Sequence, residues 1–278
     1  MSAASVVIVG AGAAGTAAAT QLRRLGFDGG LTLVHGEGSV PYNRTTVNKT
    51  LLQADATLES VRTVLPNDPQ TSLLSGRAQR LDTGRRIVVL QDGNHLSYDA
   101  VLIATGARPR LLPAREQRLR AADRTDRINP LRTYDDAERI RGVLDRIDSK
   151  HGRPARVAIA GAGLLGSETA DALKCLGHEV FLIGAAANPL SRHLGTTIGT
   201  WVQTRHEEHL AGVVKARADS FEIRDDVVVL ALSNGSSRRL RAHGALGACL
   251  ARGAHAARTI SHDLHGTADP GAFQPSGS

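Results

Sequence analysis

The sequence is poor in cysteine and aromatic residues and has no long apolar run. Its two cysteines, Cys175 and Cys249, lie far apart and form no C-x-x-C pair, which excludes a disulfide-stapled scaffold and a cysteine-rich metal site. Aromatic residues make up only 3% of the chain, so its core has to be built from Val, Leu, Ile and Ala. No apolar stretch reaches the roughly 18 to 20 residues that span a bilayer. We therefore expect a cytoplasmic protein without a membrane segment.

Positive charge is in excess over the 278 residues. The chain has 34 Lys and Arg against 27 Asp and Glu, a formal net charge of +7. Its arginines are mostly scattered, and few aromatic side chains are present to stack on bases, so no nucleic-acid partner is expected. Two interpretations remain open: a solvated basic surface, or a surface that steers an acidic protein partner.

A strand followed by a glycine-rich turn lies at the start of the chain. Val6–Val9 is an apolar run in which all four residues are β-branched, which predicts a strand buried on both faces of a parallel sheet. Gly10, Gly12 and Gly15 then complete the spacing G-x-G-x-x-G ahead of an alanine-rich helix. In this motif the glycines permit a tight turn, admit a pyrophosphate to the backbone and let the helix pack closely on the strand. The N–H groups at the start of the helix then face the phosphates.

The same pattern occurs a second time, where the apolar strand 156–160 precedes another glycine-rich turn and helix. One copy alone is weak evidence, because small residues are common wherever a helix packs on a sheet. Two copies in one chain predict two bound dinucleotides. The residues expected at the loops are Gly10, Gly12, Ala13, Ala14 and Gly15 in the first copy, and Gly161, Gly163, Leu164, Leu165 and Gly166 in the second.

An acidic residue near the end of the next strand completes such a site, because it binds the ribose hydroxyls. The second strand of the first unit is predicted over 31–34. Glu37 follows it closely and lies 22 residues after Gly15. We take Glu37 as the candidate ribose ligand.

The segment Pro41–Lys49, with the letters P-Y-N-R-T-T-V-N-K, resembles a motif of flavin-dependent ferredoxin reductases, P-Y-[DN]-R-x-x-[LV]-x-K. That family includes rubredoxin and putidaredoxin reductases. The resemblance implies that Arg44 contacts FAD and that Lys49 lies near its isoalloxazine ring. Thr45-Thr46 stands where the family usually has two prolines, which implies a less rigid loop. From the residues alone, a pair of solvated surface cations is the alternative.

Two further segments carry the same resemblance. Ala104, Thr105 and Gly106 end a predicted buried strand and match the second flavin motif of the family, which implies that they lie against the flavin nucleotide. The segment 131–137, L-R-T-Y-D-D-A, resembles the one that opens the helix into the nicotinamide domain. Thr133 is expected to cap that helix, with carboxylates favourable in its first turn.

The second glycine unit falls where these reductases bind NAD(P)H. Glu168 matches a family glutamate beside the flavin–nicotinamide contact, which implies a pairing with Lys49. These two are the candidate catalytic residues. A carboxylate near a helix N-terminus is also favoured by the helix dipole alone, so that alternative stays open. Gly184 replaces the carboxylate that an NAD site places at the ribose, and Arg192 is the candidate counter-charge for the 2′-phosphate of NADPH.

The resemblance implies an α/β fold of two Rossmann-like dinucleotide-binding domains, the second inserted in the first, with the family's C-terminal interface domain absent. The predicted bounds are 1–112 for the FAD-binding domain and 113–237 for the NAD(P)-binding domain. The implied function is an oxidoreductase in which NAD(P)H reduces FAD, and FAD passes electrons to an acidic ferredoxin-like iron–sulfur protein. The alternative is an impaired remnant that binds a dinucleotide without activity.

Residues 40–60 contain no cysteine, whereas the related disulfide reductases carry a C-x4-C pair just past their first flavin motifs. Thiol–disulfide chemistry is therefore excluded.

The resemblance ends near residue 236, and the family's third flavin motif, with an A-x-G-D core, is missing. Residues 238–278 contain no valine and few large apolar residues, which predicts a disordered tail, a truncated reductase and weakened FAD binding. The tail histidines show no recognised ligand spacing, so no metal site is expected. They are His243, His255, His262 and His265.

Overall fold

The computed structural model describes most of the chain up to residue 247. The described stretches are 4–109, 127–185, 188–224, 227–233 and 244–247. They belong to two compact units, the first formed by 4–42 with 62–106 and the second by 43–61 with the described residues from 107 to 247. Within these stretches, none of the helices combines the length and apolarity that crossing a bilayer requires.

The first unit is a parallel sheet with a small antiparallel sheet. Its elements are β1 (Ser5–Val9), α1 (Ala13–Arg24), β2 (Gly30–His35), β3 (Thr71–Ser75), β4 (Ala78–Asp82), β5 (Ile87–Leu90), β6 (His95–Ser97) and β7 (Ala100–Ile103). The parallel sheet has the order β3-β2-β1-β7, and β4, β5 and β6 form the antiparallel sheet.

Strand β1 is central because it is apolar on both faces. Val7 and Val9 belong to a cluster with residues of β2, β5 and β7, whereas Val6 and Ile8 pack with Leu31 and other residues near α1. This alternation follows from the period of two along a strand. The unbroken apolar run therefore forms the interior strand that the sequence predicts.

The second unit contains a larger parallel sheet. Three short 3₁₀ turns (Arg44–Thr46, Thr50–Leu52 and Glu59–Val61) come first along the chain. They are followed by β8 (Ile128–Pro130), α2 (Tyr134–His151), β9 (Arg156–Ala160), α3 (Leu164–Cys175), β10 (Glu179–Gly184), α4 (Ser191–His209, interrupted at Gly195), β11 (Gly212–Lys215), β12 (Ala218–Arg224), β13 (Val227–Leu232) and β14 (Gly244–Gly247). The parallel sheet has the order β11-β10-β9-β14-β8, and β12 pairs with β13 antiparallel.

Each unit has an interior strand of its parallel sheet that is followed by a glycine turn and a helix. In each sheet the strand that precedes the glycine turn, β1 or β9, lies between the next strand of the chain and a later one, which is the order of Rossmann-like units. The predicted fold class of two Rossmann-like α/β units is confirmed.

The segment 43–61 packs with the second unit, although the sequence analysis includes it in the FAD-binding domain. Arginine side chains explain this placement. Arg141 on α2 donates from Nη1 to the carbonyl oxygens of Gln53 at 2.7 Å and Ala56 at 3.1 Å. Arg44 donates to the carbonyl oxygen of Arg132 at 3.0 Å.

Strand β14 lies inside the range 238–278, for which the sequence predicts a disordered tail. It pairs parallel with β9 on one side and with β8 on the other. For Gly244–Gly247 the prediction of disorder is therefore wrong. Three of these four residues are Gly or Ala, so the strand lacks the β-branched pattern that marks a buried strand. The rest of the predicted tail, including its four histidines, lies outside the described residues.

Helix α2 begins with the predicted cap. The Thr133 hydroxyl accepts a hydrogen bond from the Asp136 backbone N–H at 3.2 Å, and the Asp136 carboxylate accepts from the Thr133 N–H at 2.9 Å. This reciprocal pair is a capping box, in which Asp takes the place of the usual Glu or Gln. At the other end Gly152 adopts a left-handed conformation with φ of +61°, which glycine accommodates without strain.

We expect Thr133→Ala to lower the free energy of unfolding by about 1 kcal/mol, because it leaves an N-terminal N–H of α2 without its acceptor. Urea unfolding followed by circular dichroism measures this change. Thr204→Ala is the matched control, since Thr204 is exposed in the middle of α4 and bonds only back to Thr200 in the described residues. Equal effects of the two substitutions would contradict the capping role.

Candidate functional site

The first glycine loop fits closely between β1 and β7. Gly10 has a φ of +117°, and a Cβ there would overlap the carbonyl oxygen of Ala104 at the end of β7. A Cβ on Gly15 would overlap the Gly10 carbonyl oxygen. Gly12, in contrast, has ordinary dihedral angles and nothing within 4 Å of its Cβ position. Two of the glycines are therefore required by packing, and the third faces open space.

The second loop repeats this backbone. Gly161 has a φ of +129°, and Gly163, which precedes α3, has φ and ψ of −84° and −171°. The corresponding values at Gly12 are −78° and −170°. Gly163 also has nothing within 4 Å of its Cβ position. The two motifs thus present the same local conformation.

The first turns of α1 and α3 carry no side-chain cap and no carboxylate. Since the first N–H groups of a helix have no partner within the helix, both helix starts present donors and a positive dipole end. The adjacent residues Ala13, Ala14, Leu164 and Leu165 are exposed. Donors, open space at the glycine and exposed apolar side chains fit the pyrophosphate and flanking groups of a dinucleotide.

The second predicted flavin segment lies against the first loop. The Ala104 N–H donates to the Val9 carbonyl oxygen at 2.8 Å, which continues the β1–β7 pairing to the loop. Thr105 and Gly106 follow and are exposed, with Gly106 at a φ of +69°. The structure therefore brings Ala104–Gly106 to the carboxyl edge of the first sheet, where α/β proteins bind ligands.

Glu37 lies two residues beyond the end of β2 and is half-buried. Its Oε2 accepts a hydrogen bond from the Tyr42 hydroxyl at 2.7 Å. This bond orients the carboxylate. Binding of a ribose by Glu37 stays a prediction.

Lys49 and Glu168 form the pair that the resemblance implies. The Lys49 Nζ donates to Glu168 Oε1 at 2.8 Å. The predicted contact is therefore confirmed, although both residues belong to the second unit rather than to two different nucleotide units. Its proximity to a flavin stays a prediction.

Asn48 is a third member of this cluster, and the sequence analysis missed it. Its Nδ2 donates to Glu168 Oε2 at 2.8 Å, so each oxygen of the carboxylate has its own donor. Asn48 is only 2% exposed. Its place beside Lys49 was the available clue, but nothing in the sequence shows that two successive side chains converge on one carboxylate.

The cluster keeps Glu168 ionised. Burial raises the pKa of the Glu168 carboxyl, but the hydrogen bonds from Lys49 and Asn48 and the charge of Lys49 outweigh it, so the pKa lies below its ordinary value. The stabilisation from this cluster is therefore present at neutral pH and is lost as the pH falls through the folded-state pKa of Glu168.

A cavity of about 590 Å³ adjoins this cluster and is lined by residues that include Lys49, Glu168, Asp171 and Cys175. Its volume is in the range of small-molecule sites. A second cavity, of about 350 Å³, is lined by residues that include His178 and Glu179, where β10 begins. The cavity beside Glu168 is the better candidate because the Lys49–Glu168 ion pair lines it, and from there its lining follows α3 to Leu176.

Gly184 ends β10, and a Cβ there would overlap the Cβ of Ala162 in the second glycine loop. Acceptance of NADPH at this site, inferred from the glycine that stands in place of a carboxylate, stays a prediction. Arg192 belongs to α4, but its side chain lies outside the described part of the structure. Its interaction with a 2′-phosphate stays a prediction.

Residues 4–262 match the family described as pyridine nucleotide-disulphide oxidoreductase. The chain belongs to this family. The match extends past residue 236, where the sequence analysis ends the resemblance, and it includes β14. Family membership agrees with the two glycine units, although residues 40–60 lack the cysteine pair of its disulfide reductases.

Two ferredoxin- and rhodocoxin-reductase sequences are similar to the chain over most of its length. The ferredoxin–NAD(+) reductase component of the p-cumate 2,3-dioxygenase system from Pseudomonas putida is 34% identical over 225 residues, which are 80% of this chain and 52% of the relative. Rhodocoxin reductase from Rhodococcus erythropolis is 34% identical, covering 74% of this chain and 46% of the relative. The chain thus spans about half the length of these relatives.

A solved structure of a reductase is also similar to the chain. The covalent putidaredoxin reductase–putidaredoxin complex contains a chain that matches with a TM-score of 0.76 and 28% identity. The match covers 89% of this chain and 58% of that chain.

We expect Gly12→Ala and Gly15→Ala to have opposite consequences. Gly12→Ala should change the free energy of unfolding by less than about 0.5 kcal/mol, because its Cβ has open space, and should weaken nucleotide binding by filling that space. Gly15→Ala should cost about 1–3 kcal/mol, since its Cβ overlaps backbone.

Urea unfolding and calorimetric titration with FAD separate the two effects. Tight FAD binding by Gly12→Ala would show that the phosphates lie elsewhere.

Proposed function

We propose that the chain is an FAD-dependent NAD(P)H oxidoreductase that passes electrons to a ferredoxin-like iron–sulfur protein. The observation that carries this proposal is the presence of two uncapped glycine-rich helix starts, with nearly identical backbone, in one chain of this family. A single-nucleotide enzyme needs only one such helix start.

The first unit is the proposed FAD site, held by the glycine loop, Ala104–Gly106 and Glu37. The second unit is the proposed NAD(P)H site, held by Gly161, Gly163 and Gly166. FAD, when bound, supplies a hydride acceptor that releases electrons singly, and the protein supplies orientation and electrostatics.

The ion pair between Lys49 and Glu168 is the proposed polar cluster beside the flavin and nicotinamide rings. Its fixed charges lie next to a cavity of sufficient size for a ring system. Hydride transfer moves a proton and two electrons together and needs no side-chain acid or base, and both oxygens of Glu168 are already bound by Lys49 and Asn48. We therefore assign Lys49 and Glu168 an electrostatic and orienting role rather than acid–base catalysis.

The proposed electron acceptor is an acidic iron–sulfur protein. The p-cumate relative is named as a ferredoxin–NAD(+) reductase component, and one matching structure is a complex with putidaredoxin. A net charge of +7 favours encounter with an acidic partner. A cytoplasmic location is part of the same proposal, since Cys175 is an exposed free thiol that suits a reducing compartment.

Anaerobic addition of one equivalent of NADPH to the FAD-loaded protein should bleach the flavin band at about 450 nm, and an excess of an oxidised ferredoxin, which takes one electron per molecule, should restore it. NADPH should serve at least as well as NADH, because Gly184 leaves no carboxylate to repel the 2′-phosphate.

Glu168→Gln should slow the bleaching while FAD stays bound. If neither NADPH nor NADH bleached the flavin, the proposed function would be overturned. A preference for NADH above about a hundredfold, or roughly 2.7 kcal/mol, would overturn only the nucleotide choice.

A further inference from the structure

The Glu168 carboxylate accepts hydrogen bonds from two side chains that differ in conformational freedom. The Lys49 side chain is 49% exposed and reaches Glu168 through a long flexible stem. Asn48 is 2% exposed and reaches the other oxygen through a short side chain. A buried amide on a short stem has few alternative rotamers, whereas an exposed lysine retains many. The orientation of the carboxylate therefore depends on Asn48 more than on Lys49.

The orientation of the Asn48 amide is itself fixed by Glu168. Turning the amide over would place Oδ1 against the carboxylate, which has only acceptors. In the present orientation Nδ2 donates, while Oδ1 is buried without a partner among the described residues. An unpaired buried acceptor destabilises a fold. The presence of asparagine at this position is therefore not explained by its contribution to stability. It is explained by the hydrogen bond that its Nδ2 donates to Glu168.

We infer that Asn48 is a positioning residue, which holds the Glu168 carboxylate in one orientation so that Lys49 stays paired beside the reacting rings. This inference rests on the proposed function. It adds a residue to which neither the glycine motifs nor the resemblance assigns a role. Asn48 acts through Glu168 and does not itself take part in hydride transfer.

The first test follows the ionisation of Glu168 in the ligand-free full chain. Carbon NMR of protein labelled at the glutamate side-chain carboxyl gives the titration midpoint, and the resonance missing in Glu168→Gln assigns it. Asn48→Ala should move the midpoint to higher pH, because one donor to the charged form is lost. Asn48→Asp, which has the same shape, should move it further by adding a second carboxylate.

Asn129→Ala is the matched control. Asn129 is also 2% exposed and also has an unpartnered Oδ1, but it is not a partner of Glu168 among the described residues. It should leave the midpoint unchanged. Urea unfolding of each variant shows whether the fold is kept, and Asn48→Ala should keep it because the substitution also removes the unpaired Oδ1. An unchanged Glu168 midpoint in a folded Asn48→Ala protein would overturn the inference.

The second test asks whether Asn48 acts only through Glu168. Asn48→Ala should slow bleaching of bound flavin by NADPH about tenfold or more, with little change in the NADPH dissociation constant. In the Glu168→Gln background the same substitution should have no additional effect, since residues that act as a unit are not additive. If Asn48→Ala slowed bleaching in the Glu168→Gln background as much as it does in the unsubstituted protein, the inference would be overturned. Failure of the unsubstituted protein to bleach would overturn the proposed function, whereas the NMR result tests the contact independently.

Discussion

The close contact of the first glycine loop with its sheet is the constraint on which the first unit depends. The backbone at Gly10 lies against the Ala104 carbonyl, and Gly15 lies against the carbonyl of Gly10, so that neither position has room for a Cβ. These contacts seat α1 on β1 and aim its first N–H groups at the carboxyl edge of the sheet. Gly12 faces open space instead. The loop therefore packs tightly on the sheet at two of its glycines and leaves an open surface at the third. Two glycines of the motif are thus required by packing, and the third leaves the open space in which we propose that the pyrophosphate binds.

The second unit uses an equivalent loop and adds a polar cluster to it. Helix α3 begins at the loop and carries Glu168 one turn later, where Lys49 and Asn48 bind its two carboxylate oxygens. The segment 43–61 reaches this place because Arg141 holds its backbone carbonyls. This segment of short 3₁₀ turns is thereby fixed through its main chain, and two of its side chains converge on one carboxylate of α3.

Much of the fold could be predicted from local patterns. The apolar run Val6–Val9, the repeated glycine spacing and the Thr133 cap each depend on near neighbours in sequence, and each occurs as predicted. Strand β14 could not be predicted, because Gly244–Gly247 offers one large apolar side chain and is a strand only by pairing with β8 and β9. The placement of 43–61 in the second unit depends on Arg141, which is distant in sequence. The role of Asn48 depends on burial, which a sequence does not display.

The central claim is that one chain holds two dinucleotides at two separate glycine loops. Equilibrium dialysis of the full chain against FAD and NADP⁺ together tests it most directly. We predict one FAD and one NADP⁺ bound per chain at the same time, with Gly12→Ala lowering the affinity for FAD alone and Gly163→Ala lowering that for NADP⁺ alone. The account would be contradicted if the two nucleotides competed for a single site. It would also be contradicted if either variant lowered the affinities for FAD and NADP⁺ equally.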